Sequence, residues 1–258
     1  MLLDPVSTGI ILIGVGLVAG TMGSLLGVGG GIVMVPALTL LGLSPVQTAS
    51  TSLIAVASTS VSSTIEYSRQ KRIDYRLGLE IAIFAIPGAV LGAIMSEYLS
   101  EGLFKLLFGI ILVLTGIYII YKNSILKDTA TKKRSMLLRT AVFAATFGAG
   151  IISSLFGVGG GIIFVPAMLI VLGLTMHRAA PTSQFILMIT SMAGVLVHAY
   201  LLHPDYLQAL ALSAGAFVGA QIGARISRTA KESLLQQLLA LILIAVAVKF
   251  IYDWFASR

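Results

Sequence analysis

The chain has 258 residues, of which 57% are hydrophobic and only 10% charged, and its mean hydropathy is +1.02. Soluble domains carry about 25% charge, and an exterior so poor in charge does not stay dissolved in water. Composition therefore excludes a soluble enzyme, a disordered chain and a disulfide scaffold, and it points to an all-α polytopic membrane protein. Cysteine is absent, which removes disulfides, zinc–thiolate centres and thiol nucleophiles. The net charge of +7 is spread between apolar runs, so it reads as basic cytoplasmic loops and not as a nucleic-acid surface. Residues 1–5 carry no basic group, so no cleaved signal is expected.

In chain order, apolar runs fall at 6–26, 31–43, 46–66, 77–96, 103–121, 137–156, 161–174, 179–202, 206–226 and 234–255. Eight of them reach, or nearly reach, the ~20 residues that cross hydrocarbon. The runs at 31–43 and 161–174 have only 13 and 14 residues. Each follows a glycine cluster. Continuous runs of this kind do not match the ~10-residue alternating strands of a membrane barrel.

The two clusters belong to an internal repeat. GVGGGIVMVP at 27–36 matches GVGGGIIFVP at 157–166 in eight of ten positions. With one inserted residue the match continues. Leu41-Gly42-Leu43 corresponds to Leu172-Gly173-Leu174, Thr51-Ser52 to Thr182-Ser183, and Gly88 and Gly92 to Gly219 and Gly223. The chain divides into a first transmembrane repeat (1–121), a cytoplasmic linker (122–136) and a second repeat (137–258).

Lys and Arg positions orient the repeats. The loop at 69–76 holds Arg69, Lys71, Arg72 and Arg76, whereas its counterpart at 203–205 holds no Lys or Arg. The next pair reverses the bias: 97–105 has one Lys against two Glu, and its counterpart has Arg225, Arg228 and Lys231. His177-Arg178 opposite Val46-Gln47 agrees. Swapped basic loops predict an inverted-topology repeat. Residues 69–76 and 122–139 then face the cytoplasm, 97–102 faces outward, and both termini lie outside. Each half needs an odd number of crossings, which four long helices do not give. The short glycine-led segment makes the difference, as a fifth span or as a re-entrant hairpin with the helix before it. Thirteen helical residues cover only ~20 Å, which favours the hairpin.

At Gly29, Gly30 and Gly31, and again at Gly159, Gly160 and Gly161, a helix must break, because glycine disfavours helix interiors and accepts positive φ. Broken backbone at membrane depth survives only where it is buried in protein or lines a cavity. A helix that starts there presents free N–H groups and a positive dipole end, which suit an anion. The plainer reading is a packing turn, but two copies in matched places favour a site. Thr51, Ser52, Thr182, Ser183 and Gln184 open the following helices and can donate to an oxyanion. Ser and Thr in membrane helices often bond their own i−4 carbonyl, and Ser58 to Ser63 are expected to do so. Pro36 and Pro166 read as kinks in the short helices. Glu66 and Glu80 read as boundary anchors paired with neighbours along their helices. His198, matched by Tyr67, reads as a hydrogen-bonded interfacial histidine and less readily as a proton relay. Gly88, Gly92, Gly215, Gly219 and Gly223 read as a smooth packing face. No Asp or Glu sits mid-span, which argues against a metal-cation site and against paired-carboxylate catalysis.

The paired GVGGG…VP motifs, each followed by Thr-Ser, resemble the sulfite exporter TauE/SafE family of membrane proteins over nearly the whole chain, from Ile10 to Ile251. The resemblance implies transport of sulfur-containing anions, outward, across a prokaryotic plasma or inner membrane. Pro181 and Gln184 stand where the first half has Ser50 and Leu53, so the two half-sites differ chemically. The resulting expectation is a non-enzymatic secondary transporter of sulfite, sulfoacetate or related organosulfonates, working by alternating access. Its partners are the anion and the lipid bilayer, without nucleic acid, metal or cofactor, and a homodimer stays open. The alternative is a cation- or proton-coupled permease. An intramembrane enzyme lacks a Ser/His or Asp/Asp pair at matched depth.

Overall fold

The computed structural model describes residues 5–125 and 136–256, and every regular element among them is helical. In chain order these are α1 (Pro5–Leu26), α2 (Gly31–Leu40), α3 (Pro45–Arg69), α4 (Tyr75–Met95), a 3-10 turn (Ser96–Tyr98), α5 (Glu101–Ile125), α6 (Met136–Phe156), α7 (Gly161–Ile170), α8 (Met176–Tyr200), α9 (Tyr206–Ile226) and α10 (Glu232–Ala256). Most of the linker expected at 122–136 lies outside the described residues.

Local chemistry sets the boundaries. Ser44 and Gln47 form a reciprocal capping box at the start of α3, with Pro45 behind it. Asp74 and Asp205 cap α4 and α9, accepting from the Leu77 and Gln208 N–H groups at 3.1 Å each. α2 and α7 stop earlier than the apolar runs suggest. Each has 10 residues, because the chain leaves the helix through Gly42 and Gly173 at φ +84° and +64°. Ten residues span ~15 Å, half of the hydrocarbon thickness. Pro36 and Pro166 sit inside these helices without ending them.

Five described helices are long and apolar enough to cross a membrane: Ser7–Leu26, Tyr75–Tyr98, Met176–Tyr200, Tyr206–Ile226 and Glu232–Phe255. The run expected at 46–66 is not among them. Its helix, α3, is 25 residues long but carries eleven Ser and Thr. The structure places α3 inside the bundle, packed on α8, α9 and α2, where carbonyls accept from Ser52, Ser58, Thr59 and Ser62 in place of lipid, while the hydroxyls of Ser60, Ser63 and Thr64 are buried without a hydrogen-bond partner.

The packing is reciprocal between the halves. α1 lies on α9 and α6 on α4, so the first helix of each half packs on the fourth helix of the other. α3 and α8 pair at the centre, and α5 pairs with α10. Glycine makes the two outer contacts close. A Cβ added at Gly215, Gly219 or Gly223 would overlap the carbonyls of Ile13, Leu17 and Thr21 on α1, and one at Gly88 or Gly92 would overlap those of Phe147 and Ile151 on α6. The glycine face read from the sequence is a packing face. Phe104, Phe108, Phe156 and Phe250 join α5, α6 and α10, with ring centroids 4.8 to 6.4 Å apart.

α3 and α8 run in opposite directions. Arg72, just past α3, donates from Nε to the His177 carbonyl in the first turn of α8 at 3.0 Å. Asp205, just past α8, donates its N–H to the Thr51 hydroxyl near the start of α3 at 3.0 Å. Asp74 does the same to Thr182 at 3.1 Å.

Candidate functional site

The breaks in the two glycine turns are conformational. Gly27, Gly29 and Gly30 adopt φ of +77°, +84° and +84°, and Gly157 and Gly159 adopt +68° and +77°. An L side chain in that region costs roughly 1–2 kcal/mol per residue. Within four residues the chain leaves α1 and enters α2, or leaves α6 and enters α7. The Val28 and Gly29 N–H groups close the end of α1 by donating to the Gly23 carbonyl at 2.9 and 3.2 Å. The caps of α2 and α7 are Gly30 and Gly160, which offer no side chain to the first N–H groups of the helix. Gly160 departs from its partner, with φ −64° where Gly30 has +84°.

The turns meet back to back. A Cβ at Gly31 would lie 2.6 Å from the Gly157 and Val158 carbonyl oxygens, and one at Gly161 would lie 2.6 Å from the Val28 Cα. A Cβ at Gly29 would meet Val56 and Leu187 at 2.9 and 3.1 Å, and one at Gly159 would meet the same two side chains at 3.0 and 3.1 Å. Val56 and Leu187 occupy matched positions on α3 and α8, so the centre of the molecule is built from equivalent parts of both halves. The turns are fully buried, and two helix N-termini converge there without a charged side chain.

All eleven predicted site residues fall in this one assembly. Thr51, Ser52, Thr182, Ser183 and Gln184 are fully buried. Their hydrogen bonds differ from the sequence reading, which gave their donors to a ligand. The Ser52 hydroxyl donates to the Gly157 carbonyl, and the Ser183 hydroxyl to the Gly27 carbonyl, each at 2.7 Å. The Gln184 amide donates to the Gly23 carbonyl at 2.7 Å. Thr51 and Thr182 accept from the loops after α8 and α3. In this conformation the polar side chains of one half cap the turn or the loop of the other. Gln184 Oε1 is buried and without a partner. Ser50, in contrast, bonds the Val46 carbonyl four residues back at 2.8 Å, as do Thr59 and Thr190 with theirs at 2.9 and 3.0 Å, but Ser58 and Ser62 depart from the i−4 expectation and donate across to the Ser213 and Phe217 carbonyls of α9 at 3.1 and 2.7 Å.

Glu66 and Glu80 have the partners along their helices that the sequence suggested. Glu80 pairs with Arg76 at 3.5 Å, and Glu66 accepts from Gln70 at 3.2 Å and faces Arg225 of α9 at 3.6 Å. Among the described residues no group of three or more His, Asp or Glu is arranged to hold a metal ion. Sequence reasoning missed a polar cluster at the end of α3. The Tyr67 hydroxyl donates to the Ser24 carbonyl at 2.8 Å and meets Ser227 at 3.1 Å. The Arg72 guanidinium lies 5.3 Å from the Tyr67 ring centre and donates to Ser227 and Gln70 at 3.0 and 2.9 Å. Burial holds the Arg72 guanidinium below the usual arginine value. The match of Tyr67 to His198 was the available signal, and it was read from the histidine side alone.

Comparison with known proteins gives the family of the chain. The family model described as "Sulfite exporter TauE/SafE" matches residues 12–250. "Probable membrane transporter protein YunE" of Bacillus subtilis is 33% identical, over 95% of this chain and 97% of its own. A relative in Haemophilus influenzae with the name "Probable membrane transporter protein" is 25% identical, over 95% and 96%. Another, from Methanocaldococcus jannaschii, is 29% identical, over 72% and 70%. No solved structure gives a significant match.

Proposed function

The chain belongs to the sulfite exporter TauE/SafE family and is a multi-pass membrane transporter, and we propose that it exports small sulfur-containing anions, sulfite or organosulfonates, by alternating access. One observation carries the proposal: two uncharged helix N-termini, those of α2 and α7, converge at the centre of the molecule from equivalent positions in its two halves. Such ends bind anions through backbone N–H groups and the helix dipole. A cation would find no carboxylate there.

The halves act as an inverted-topology repeat, with 69–76 inside, 97–102 outside, both termini outside and the short helices re-entrant. The swapped basic loops, the antiparallel course of α3 and α8, and the 10-residue length of α2 and α7 support this arrangement. When one half rocks against the other, the bonds of Ser52 and Ser183 to the opposite turns are exchanged for bonds to the anion. The staples of the closed centre then become its ligands. Export also has a driving force. An interior 100 mV negative favours exit of each negative charge by about 2.3 kcal/mol, roughly 50-fold.

Proteoliposomes loaded with labelled sulfite, sulfoacetate or chloride test this reading. Sulfite and sulfoacetate efflux should exceed chloride efflux and rise with an imposed inside-negative potential. Flux of none of the sulfur anions, or flux that ignores potential and collapses with a pH gradient, would replace the proposal with an electroneutral proton-coupled carrier or another substrate.

A further inference from the structure

The loops that follow α3 and α8 are built alike. Lys71 and Leu202 hold matched places and are the two non-glycine residues at positive φ among those described, at 55° and 58°. Around this shared scaffold the two ends carry different chemistry. At one end stand Tyr67, Arg72, Ser227 and Arg228. The matched positions at the other are His198, His203, Ser96 and Glu97. A permanent cation at the first end is replaced by an imidazole at the second.

The second cluster forms a continuous chain. His203 Nε2 lies 2.9 Å from Glu97 Oε1, His203 Nδ1 lies 2.9 Å from His198 Nδ1, and His198 Nε2 lies 3.1 Å from the Ser154 carbonyl oxygen. It runs from a carboxylate 41% exposed, through a His203 side chain 8% exposed, to a fully buried His198. Donor and acceptor requirements fix the number of its N–H protons at three, and the deeper burial of His198 assigns two of them to His203. A carbonyl only accepts, so His198 Nε2 carries a proton. Two Nδ1 atoms at 2.9 Å hold one proton between them. If His198 is neutral, its Nδ1 accepts and His203 Nδ1 donates. Glu97 as a carboxylate only accepts, so His203 Nε2 must donate too. Every contact is satisfied when His203 carries both protons and His198 one.

We propose that Glu97, His203 and His198 form a proton-binding site that ties the first half of the chain to the second. Glu97 comes from the turn after α4, the histidines from the end of α8 and the loop after it, and Ser154 from the last turn of α6. With the proton bound, a charged pair and two N–H donors join these elements three residues before Gly157. Without it, His203 has one proton for two contacts, so either its Nε2 and Glu97 or the two Nδ1 atoms face each other as acceptors, and the tie is broken at one link. The chain ends on a carbonyl, so it stores a proton and does not pass one to the glycine turns. Neighbouring charges are engaged elsewhere. Asp205 caps α9 through Gln208, and Glu101 is bonded to Lys105 at 2.6 Å. Tyr98 and Tyr200 are more than four-fifths exposed, and from α6 the cluster is faced by the Ser154 carbonyl and hydroxyl. The inference stands independently of which anion is carried.

The chain has three histidines, so nitrogen-15 histidine labelling in lipid nanodiscs reads each imidazole directly, with His177→Gln identifying the third. At mildly acidic pH the expected spectrum has His203 protonated on both nitrogens, His198 protonated on Nε2 alone, and a through-hydrogen-bond coupling between the two Nδ1 signals. In Glu97→Gln the amide can itself donate, so His203 should lose its Nε2 proton under the same conditions. A native spectrum with His203 singly protonated, with both rings doubly protonated, or without the Nδ1–Nδ1 coupling overturns the proposal, whether or not the variant folds. An unchanged proton pattern in a folded Glu97→Gln protein overturns it as well.

Discussion

At the scale of single residues, the two glycine turns are alike in sequence and unlike in tolerance. Gly30 has φ +84°, and a Cβ there would lie 2.6 Å from the Ala19 carbonyl oxygen. Neither the conformation nor the backbone contact can be relieved cheaply, and the φ alone costs about 1–2 kcal/mol. At Gly160 the φ is −64° and the nearest atom, at 2.6 Å, is the edge of the Phe164 ring, with the Ala149 carbonyl at 3.0 Å. Gly30→Ala should therefore lower the thermal midpoint of the purified protein clearly more than Gly160→Ala. Equal midpoints would mean that Phe164 cannot move. The central hydroxyls predict a second pair of outcomes. Ser52→Ala strips the Gly157 carbonyl of a buried donor, and Ser183→Ala does the same to Gly27. Interhelical hydrogen bonds in membranes contribute about 0.6–2 kcal/mol, so each variant should lose that much stability, and by similar amounts. Under the proposed mechanism each should also slow sulfur-anion efflux by more than the loss of folded protein explains, a difference that reconstitution of equal folded amounts would reveal. Motif and spacing identified these residues as important. That their partners are carbonyls of the opposite turn was not legible, because a hydroxyl's acceptor lies 105 or 156 residues away.

Elements show the same division. Capping residues and glycine exits are local, so the starts of α3, α4 and α9 and the stops of α2 and α7 follow from residues such as Ser44, Asp74, Asp205, Gly42 and Gly173. Glycine spacing likewise announced the close faces of α4 and α9, since a four-residue period puts small residues on one side. Which helix meets that face is a long-range matter, and the answer crosses the halves: α1 for α9, α6 for α4. A Gly219→Leu variant should fail to assemble α1 on α9, because its side chain begins inside the Leu17 carbonyl. Protease resistance of the detergent-purified variant should fall sharply. Gly42→Ala meets no neighbour within 4 Å and should show only the modest cost of its φ, +84°. α3 was read from its run at 46–66 as long and apolar enough to span, but its eleven Ser and Thr take it out of the lipid-facing set, and the structure buries it among other helices.

For the whole molecule, the proposal predicts a voltage slope. If helix ends and hydroxyls hold the anion, each net charge moved contributes about 2.3 kcal/mol per 100 mV. A divalent sulfonate–carboxylate should then respond about twice as steeply as a monovalent sulfonate in vesicles at clamped potassium potentials. Glu66→Gln and Glu80→Gln should keep most of the flux, since their partners are Gln70, Arg225 and Arg76 at the ends of helices. Loss of flux in either variant would make that carboxylate part of the transport path. Topology is testable in a chain without native cysteine: single cysteines in 69–76 should label from the cytoplasmic side, and one at Ser257 from outside.

The sequence by itself determined the membrane class, the two-fold repeat, the glycine breaks and the family, because these depend on composition, on local backbone preference and on spacing along the chain. Tertiary structure decided how the halves engage. It set α3 beside α8 in opposite directions, laid the two turns back to back, and gave Ser52 and Ser183 to each other's turns. It also joined Glu97 to His203 and His198 across 106 residues of chain. Those pairings depend on which surfaces fit once backbones approach closer than any Cβ would allow, and no period or motif along one strand of sequence encodes that fit.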